Sequence, residues 1–228
     1  MSLLAPLLPS PVVVEELRED PTDLDLFPAE EAVVRAAVEK RRREFAAVRR
    51  CAREALARLG RAPVPILPGE RGAPGWPPGI VGSMTHCPGY AAAALAPADG
   101  VAGLGVDAEL HAPLPDGVLD LVSLPGERAW LVRLTDRNPG LCWDRLLFSA
   151  KEAVYKTWFP LMRCWLGFEQ AEVDVDAEQQ TFRAQLLIPG PVVDGSRQDW
   201  FVGRWAVRDG ILVTAIVLHR NRPTGVPG

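Results

Sequence analysis

Apolar positions along this chain follow two periods, and the switch between them outlines the elements. In "EEAVVRAAVEKRRREFAAVRRCAREALARLG", from Glu30 to Gly60, Phe45, Val48, Ala52, Leu56 and Leu59 recur at intervals of three and four. That spacing predicts one face of a long helix, closed by the glycine. A second such face, Trp143, Leu147, Ala150, Val154 and Trp158, runs through "LCWDRLLFSAKEAVYKTWFP". It predicts another helix, stopped at Pro160. A weaker helical pattern covers Glu127–Leu134. The triple valine at 12–14 reads as a first strand, and "IVGSMTHCPGYAAAALAPADGVAGLGVDAEL" (80–110) as two strands around the turn "APADG". "AEVDVDA", "TFRAQLLI", "WFVGRWAVR" and "ILVTAIVLHR" read as later strands, the last two joined by a hairpin at Asp209-Gly210. The stretches 60–79 and 111–125, rich in proline, read as connections.

Each half of the chain thus runs from a helix to a closing set of strands. The fold expected is α/β of the α+β kind: two pseudo-symmetric halves, each a long helix packed on a small, mainly antiparallel sheet. The halves divide at 1–105 and 106–228. A length of 228 residues, 48% of them hydrophobic, suits one domain or two joined halves. A charged fraction of 24% is that of an ordinary soluble protein. The net charge of −4 supplies no general attraction for nucleic acid. No apolar run is long enough to span a membrane, and the N-terminal "MSLLAPLLPSPVVVEELRED" lacks the basic start of a signal peptide. Cys51, Cys87, Cys142 and Cys164 form no CxxC pair, so free thiols in a reducing cytoplasm are expected.

Four groups of residues could carry chemistry. In "GVDAEL" (105–110) two acids stand one residue apart in an apolar run. On a strand Asp107 and Glu109 share a face, and two neighbouring carboxylates call for a cation. Read alone, the pair is better taken as a strand end leaving the core with two ordinary exposed acids. In "FSAKEAVYK" (148–156) Glu152 and Lys156 are four apart on a helix, which suits a third acid with a phosphate ligand and also suits a plain ion pair. "GSMTHCPGY" (82–90) offers small polar groups and His86 to an anion, or is simply a strand edge. Arg49, Arg53 and Arg71 could fork onto phosphates, or form solvated surface. "GVAGLG" is followed by a strand, so it is not a dinucleotide fingerprint, and there is no GxxxxGK[ST], HExxH or GxSxG motif.

In this order and at these spacings the pieces resemble the Sfp-type phosphopantetheinyl transferases. The likeness is to the subgroup with a W…KEA signature, here Trp143 and Lys151-Glu152-Ala153. It runs from Glu44 to Lys156 through "EFAAVRRCAR", "RGAPGWPPGIVGSMTHCPGY", "GVDAEL" and "FSAKEAVYK". The resemblance implies an enzyme that moves the 4′-phosphopantetheine arm of coenzyme A to a serine of an apo acyl or peptidyl carrier protein, releasing adenosine 3′,5′-bisphosphate. It implies Asp107, Glu109 and Glu152 as magnesium ligands. Arg49, Arg53, Arg71, Thr85, His86, Lys151 and Lys156 would contact coenzyme A. Glu152, directly or through a metal-bound water, would take the serine proton, and Lys156 would neutralise or protonate the leaving phosphate. The helix motif F-x-x-G-R of many relatives reads "FAAVR" here, with Val48 at the glycine, and Arg50 competes with Arg49 for the phosphate role. Half 1–105 would carry the coenzyme A-binding helix and loops; half 106–228 would carry the metal acids, the KEA helix and the closing hairpin. Apolar residues in "FPLMRCWLGF" (159–168) would meet the carrier or else fill the core. The resemblance further implies a monomer. Two other functions share parts of this set: a magnesium-dependent nucleotide pyrophosphohydrolase, and a non-catalytic module binding coenzyme A or carrier. Only a transferase adds mass to a carrier protein.

Overall fold

The first half is built around a strand with almost no bulk. The computed structural model describes residues 2–220 apart from positions 20 and 22. Strand β1 (Val13–Leu17) pairs with β3 (Tyr90–Pro97), which pairs on its other side with β2 (Ile80–Cys87), all antiparallel. β2 and β3 form a hairpin through Gly89, whose φ is +78°. The expectation of two strands over 80–110 therefore gives way to three, with the Pro88-Gly89 turn as the overlooked break. β3 reads "YAAAALAP", and its small side chains let both of its faces be covered. Ala91, Ala93 and Leu95 meet the first long helix; Ala92, Ala94 and Ala96 meet the second half of the molecule.

The helix expected over 30–60 is two helices, α1 (Pro28–Val34) and α2 (Glu39–Arg58). Residues 35–38, "RAAV", contain no helix breaker. A buried ion pair requires the break: Glu30 accepts from Arg53 Nη1 at 3.1 Å. On one straight helix these residues would lie roughly 35 Å apart at about 1.5 Å per residue. Tertiary contact thus overrides propensity. The apolar face of α2 is as expected: Phe45, Val48, Ala52 and Leu56 are buried. Gly60 follows the helix end with φ +69°.

The second sheet is antiparallel with strand order β4-β10-β9-β6-β5. Its members are β4 (Val101–Leu110), β5 (Ala171–Asp176), β6 (Thr181–Leu186), β9 (Trp200–Arg208) and β10 (Ile211–His219). A small hairpin of β7 (Val192–Val193) and β8 (Ser196–Arg197), turning at Asp194-Gly195, was not anticipated. Its Asp-Gly signal is the same one that marks the β9–β10 turn, where Asp209 and Gly210 also have positive φ. Helices α3 (Val118–Val122), α4 (Pro125–Arg137) and α5 (Trp143–Met162) precede β5. α5 buries Trp143, Leu147, Ala150, Val154 and Trp158 against this sheet. Pro160 does not stop it: the helix runs two residues further and ends at Arg163 in left-handed conformation. A proline in the last turn removes only one ladder bond.

The two helices of 20 residues, α2 and α5, each on an antiparallel sheet, give the mixed α+β architecture. Position 105 lies inside β4, the strand where the sheets meet. β4 and β2 run side by side without a shared backbone ladder; hydroxyls join them instead. Val106 N–H donates to Ser83 Oγ at 3.1 Å and Ala108 N–H to Thr85 Oγ1 at 2.9 Å. Among the described residues no helix is long and apolar enough to cross a membrane. The four cysteines are free thiols.

Candidate active site

Glycines bring α5 down onto β4. A Cβ on Gly105 would fall 2.1 Å from Ala153 O and 2.3 Å from Thr157 Oγ1, and one on Gly103 would press on Leu161 and Thr157. Only a bare backbone allows this approach. It sets the α5 face carrying Arg145, Glu152 and Lys156, at helical spacings of seven and four, over the acids of β4. Lys156 Nζ donates to Asp107 Oδ1 at 2.7 Å and to Val106 O at 3.1 Å. Arg145 Nη1 donates to Glu109 Oε2 at 3.0 Å. Glu152 has no hydrogen-bond or ion-pair partner among the described residues. Burial raises its pKa, Asp107 raises it further, and Lys156 partly opposes both. Burial and then Asp107 likewise raise Glu109, against the pull of Arg145.

Glu152 and Lys156 open onto a cleft of about 520 Å³ between the halves. α2 contributes Arg41, Glu44, Phe45, Val48 and Arg49. The 60–79 loop contributes Arg71, β2 contributes Gly82 to His86, and α5 adds Tyr155 and Phe159. Arg49 is buried over the Phe45 ring, 3.2 Å from its centroid, and donates to Ile66 O at 3.0 Å. Burial lowers its pKa to about 10, Glu30 counters, and Arg41 and Arg53 add to the fall. It remains charged at neutral pH, with no carboxylate in ion-pair contact among the described residues. A buried cation in this state is stabilised by any anion entering the cleft. Arg71, at φ 51°, reaches over Trp165. His86 Nε2 stands 3.3 Å from both Arg41 Nη1 and Glu44 Oε2. Burial lowers the His86 pKa, Glu44 opposes this, and Arg41 and Lys156 reinforce it, so the ring is neutral at pH 7.

The cleft therefore collects Arg49, Arg71, Thr85, His86, Glu152 and Lys156 of the anticipated set. Others sit elsewhere. Arg53 lies outside the lining, buried in its pair with Glu30. Thr85, although it lines the cleft, has its hydroxyl committed to Ala108 N–H and to Asp107 Oδ1 at 3.4 Å. Lys151, which the resemblance places among the coenzyme A contacts, is 3% exposed. Its ammonium donates to Glu127 Oε2 and to Phe168 O, both at 2.8 Å; a charge buried this deeply must be paired within the core. Arg50 points away and pairs with Glu54, leaving the cleft position to Arg49. Of the expected docking segment, Phe159 is buried, Leu161 and Met162 are half-buried, and Trp165 is exposed. The sequence reading overlooked Arg41, Glu44, Tyr155 and Arg145. Arg41 stands two helical turns before Arg49, and Arg145 two turns before Glu152, so periodicity carried a signal for both.

A hard cation suits part of this cluster. Asp107 is 5% exposed, and its Oδ2 is buried with no hydrogen-bond partner. An orphaned carboxylate oxygen beside the unpaired Glu152 is the kind of donor set magnesium shares with phosphates. Glu109 is the third candidate, one of its oxygens being held by Arg145. Among the described residues no three potential ligands are already gathered as a metal site.

Comparison with known proteins gives concordant matches. Residues 29–96 match the family model described as the 4′-phosphopantetheinyl transferase N-terminal domain, and residues 103–193 match the 4′-phosphopantetheinyl transferase superfamily. The chain is 57% identical to the 4′-phosphopantetheinyl transferase Svp of Streptomyces mobaraensis, covering 95% of this chain and 89% of that protein. It is 51% identical to the 4′-phosphopantetheinyl transferase Npt of Nocardia iowensis, with 94% and 99% covered. It is 46% identical to the 4′-phosphopantetheinyl transferase PptT of Mycobacterium tuberculosis, with 95% and 98% covered.

Proposed function

We propose a role for each cleft residue on one premise: this chain belongs to the Sfp-type 4′-phosphopantetheinyl transferases. It transfers the 4′-phosphopantetheine arm of coenzyme A to a serine of a carrier protein. The serine oxygen bonds to the β-phosphorus, the bridging P–O bond breaks, and adenosine 3′,5′-bisphosphate leaves.

In our reading Arg49, Arg41 and Arg71 hold the phosphates of coenzyme A, with neutral His86 as a hydrogen-bond donor. The support is a cleft lined by guanidinium groups, of which Arg49 is buried without a carboxylate partner. Planar guanidinium forks suit phosphate oxygens. Glu152 takes the serine proton. Its carboxyl opens to the cleft, has no competing partner and is made more basic by burial and by Asp107, as a general base requires. Lys156 spans Asp107 and the cleft, so it can neutralise charge on the departing bisphosphate. Asp107 and Glu152, with Glu109, would hold magnesium, which when bound screens the pyrophosphate charge. Arg53 and Thr85 act from behind, fixing α1 and β4. We place nucleotide binding mainly in half 1–105 and proton transfer in half 106–228. Action as a monomer in the cytoplasm, without nucleic acid, completes the proposal. The net charge of −4 supplies no general attraction for nucleic acid, the free thiols suit a reducing compartment, and the monomer follows from the family resemblance.

The observation that carries this reading is the unpartnered Glu152 beside the Asp107–Lys156 pair at the edge of the basic cleft. Its test is intact-mass measurement of an apo carrier protein incubated with enzyme, coenzyme A and magnesium. The carrier gains one phosphopantetheine arm, and the gain disappears with EDTA. Consumption of coenzyme A with an unchanged carrier would sink the transferase reading, and a gain that survives EDTA would sink the magnesium assignment.

A further inference from the structure

The segment that follows the two acids of β4 is fastened to the start of α5 by a set of hydrogen bonds. Arg145 is the centre of that set. Its Nε donates to Ala112 O at 2.9 Å and its Nη2 to Pro113 O at 2.8 Å, while Nη1 donates to Glu109 Oε2 at 3.0 Å. Beside it, Leu114 N–H donates to Asp144 Oδ2 at 2.8 Å, and Cys142 N–H donates to His111 Nε2 at 3.0 Å. The guanidinium is therefore fixed by two backbone carbonyls before it meets the carboxylate. It cannot swing away with Glu109.

We infer that Arg145 is a positioning residue: it clamps Glu109 by one oxygen to the helix that carries Glu152, so that the acids of β4 and α5 are presented to the cation as one rigid unit. This rests on the cation reading given above. The geometry favours it in two ways. Arg145 and Lys156 bracket Glu152 along one face of α5, and each holds one acid of β4. Arg145 also binds Oε2 alone, so the second oxygen of Glu109 is left for a ligand. A lysine at 145 could not reproduce the clamp, because a point charge on a flexible stem does not span two carbonyls and a carboxylate in a fixed plane. Partners that orient metal ligands typically change affinity by about 10–100-fold when removed.

The test titrates Mn2+ into protein saturated with coenzyme A, with no carrier present, and follows bound metal by electron paramagnetic resonance. Arg145→Gln is expected to weaken Mn2+ binding by about 10–100-fold, while coenzyme A affinity measured in EDTA stays unchanged. Arg145→Lys, which keeps charge and bulk, is the variant to use if the glutamine protein does not fold, and it is expected to show the same loss. In carrier-transfer assays the half-saturating Mg2+ concentration should rise while kcat at saturating Mg2+ is retained. Wild-type affinity in either variant, or tighter binding, would overturn the inference. Wild-type protein that takes up no Mn2+ would overturn the cation assignment together with it, and the carrier-mass result would stand apart from both.

Discussion

Glu152 and Glu16 illustrate opposite treatments of a carboxylate. Glu152 is half-buried without a partner, and its pKa is raised by burial and by Asp107. Glu152→Gln is expected to slow carrier modification by about 10²–10⁴-fold, the usual contribution of a general base. Its Tm should equal or exceed that of the wild type, because an acid costly to ionise has been removed. A rate within a few-fold of wild type would show that the proton goes elsewhere. At Glu16, burial alone would raise the pKa, but hydrogen bonds from Ser2, Tyr90, Leu4 and Leu3 together hold it below its ordinary 4.5. A depressed carboxyl stabilises the fold fully above the unfolded value, and that contribution is lost as pH falls through the lower folded value. The wild-type Tm should therefore fall as pH drops below the ordinary value of 4.5. Glu16→Gln should lower Tm at pH 7 and flatten that acid limb; thermal melts across the range check both. Identity placed Glu152 among the candidates from sequence. Its lack of a partner, on which its basicity depends, was not legible, because it follows from where Lys156 and Arg145 point.

At the scale of elements, α5 is the part whose seating the chemistry depends on. Gly105→Ala puts a methyl group against Ala153 O at 2.1 Å, and overpacking of this kind typically costs about 1–3 kcal/mol. The expected result is a Tm lower by roughly 2–10 °C for a protein of this size, with transfer slowed because Lys156 and Glu152 are displaced from Asp107. Unchanged Tm and rate would mean that α5 tolerates a shift. Lys151→Met leaves Glu127 buried without its cation, a change that costs about 3–5 kcal/mol. Coenzyme A affinity of the protein that remains folded should be unchanged, and calorimetric titration decides this; a clear loss of affinity would return Lys151 to the cleft. The apolar faces of α2 and α5 were legible because each has one sheet to cover. The break after Val34 was not, since a partner distant in sequence decides it, and Pro160 misled because a proline in the last turn removes only one ladder bond.

For the molecule as a whole, the joint between the two sheets is the sensitive feature. Ser83 and Thr85 close the gap between β2 and β4 with hydroxyls, and these also bring the wall bearing His86 alongside Asp107. Ser83→Ala leaves the buried Val106 N–H without its acceptor, which typically costs about 1–3 kcal/mol. The denaturant midpoint should fall while the slope of unfolding stays the same, as expected when stability changes without a change in surface exposed. A midpoint equal to wild type would show that β2 and β4 do not depend on this bond.

By itself the sequence determined the apolar faces of the two long helices, most of the strands, the β9–β10 hairpin and the residue types of the site, because period, turn chemistry and spacing are local properties. The acids at 107, 109 and 152 and the bases at 49 and 156 were visible in this way. Tertiary structure alone decided what each charge meets. Lys151 turned inward to Glu127, Arg53 was taken by Glu30, Arg145 and Lys156 divided the acids of β4 between them, and Glu152 was left unpaired. Pairing depends on distances of a few ångströms between segments tens of residues apart, and hydrophobic burial, which is non-directional, fixes those distances only when the whole chain packs.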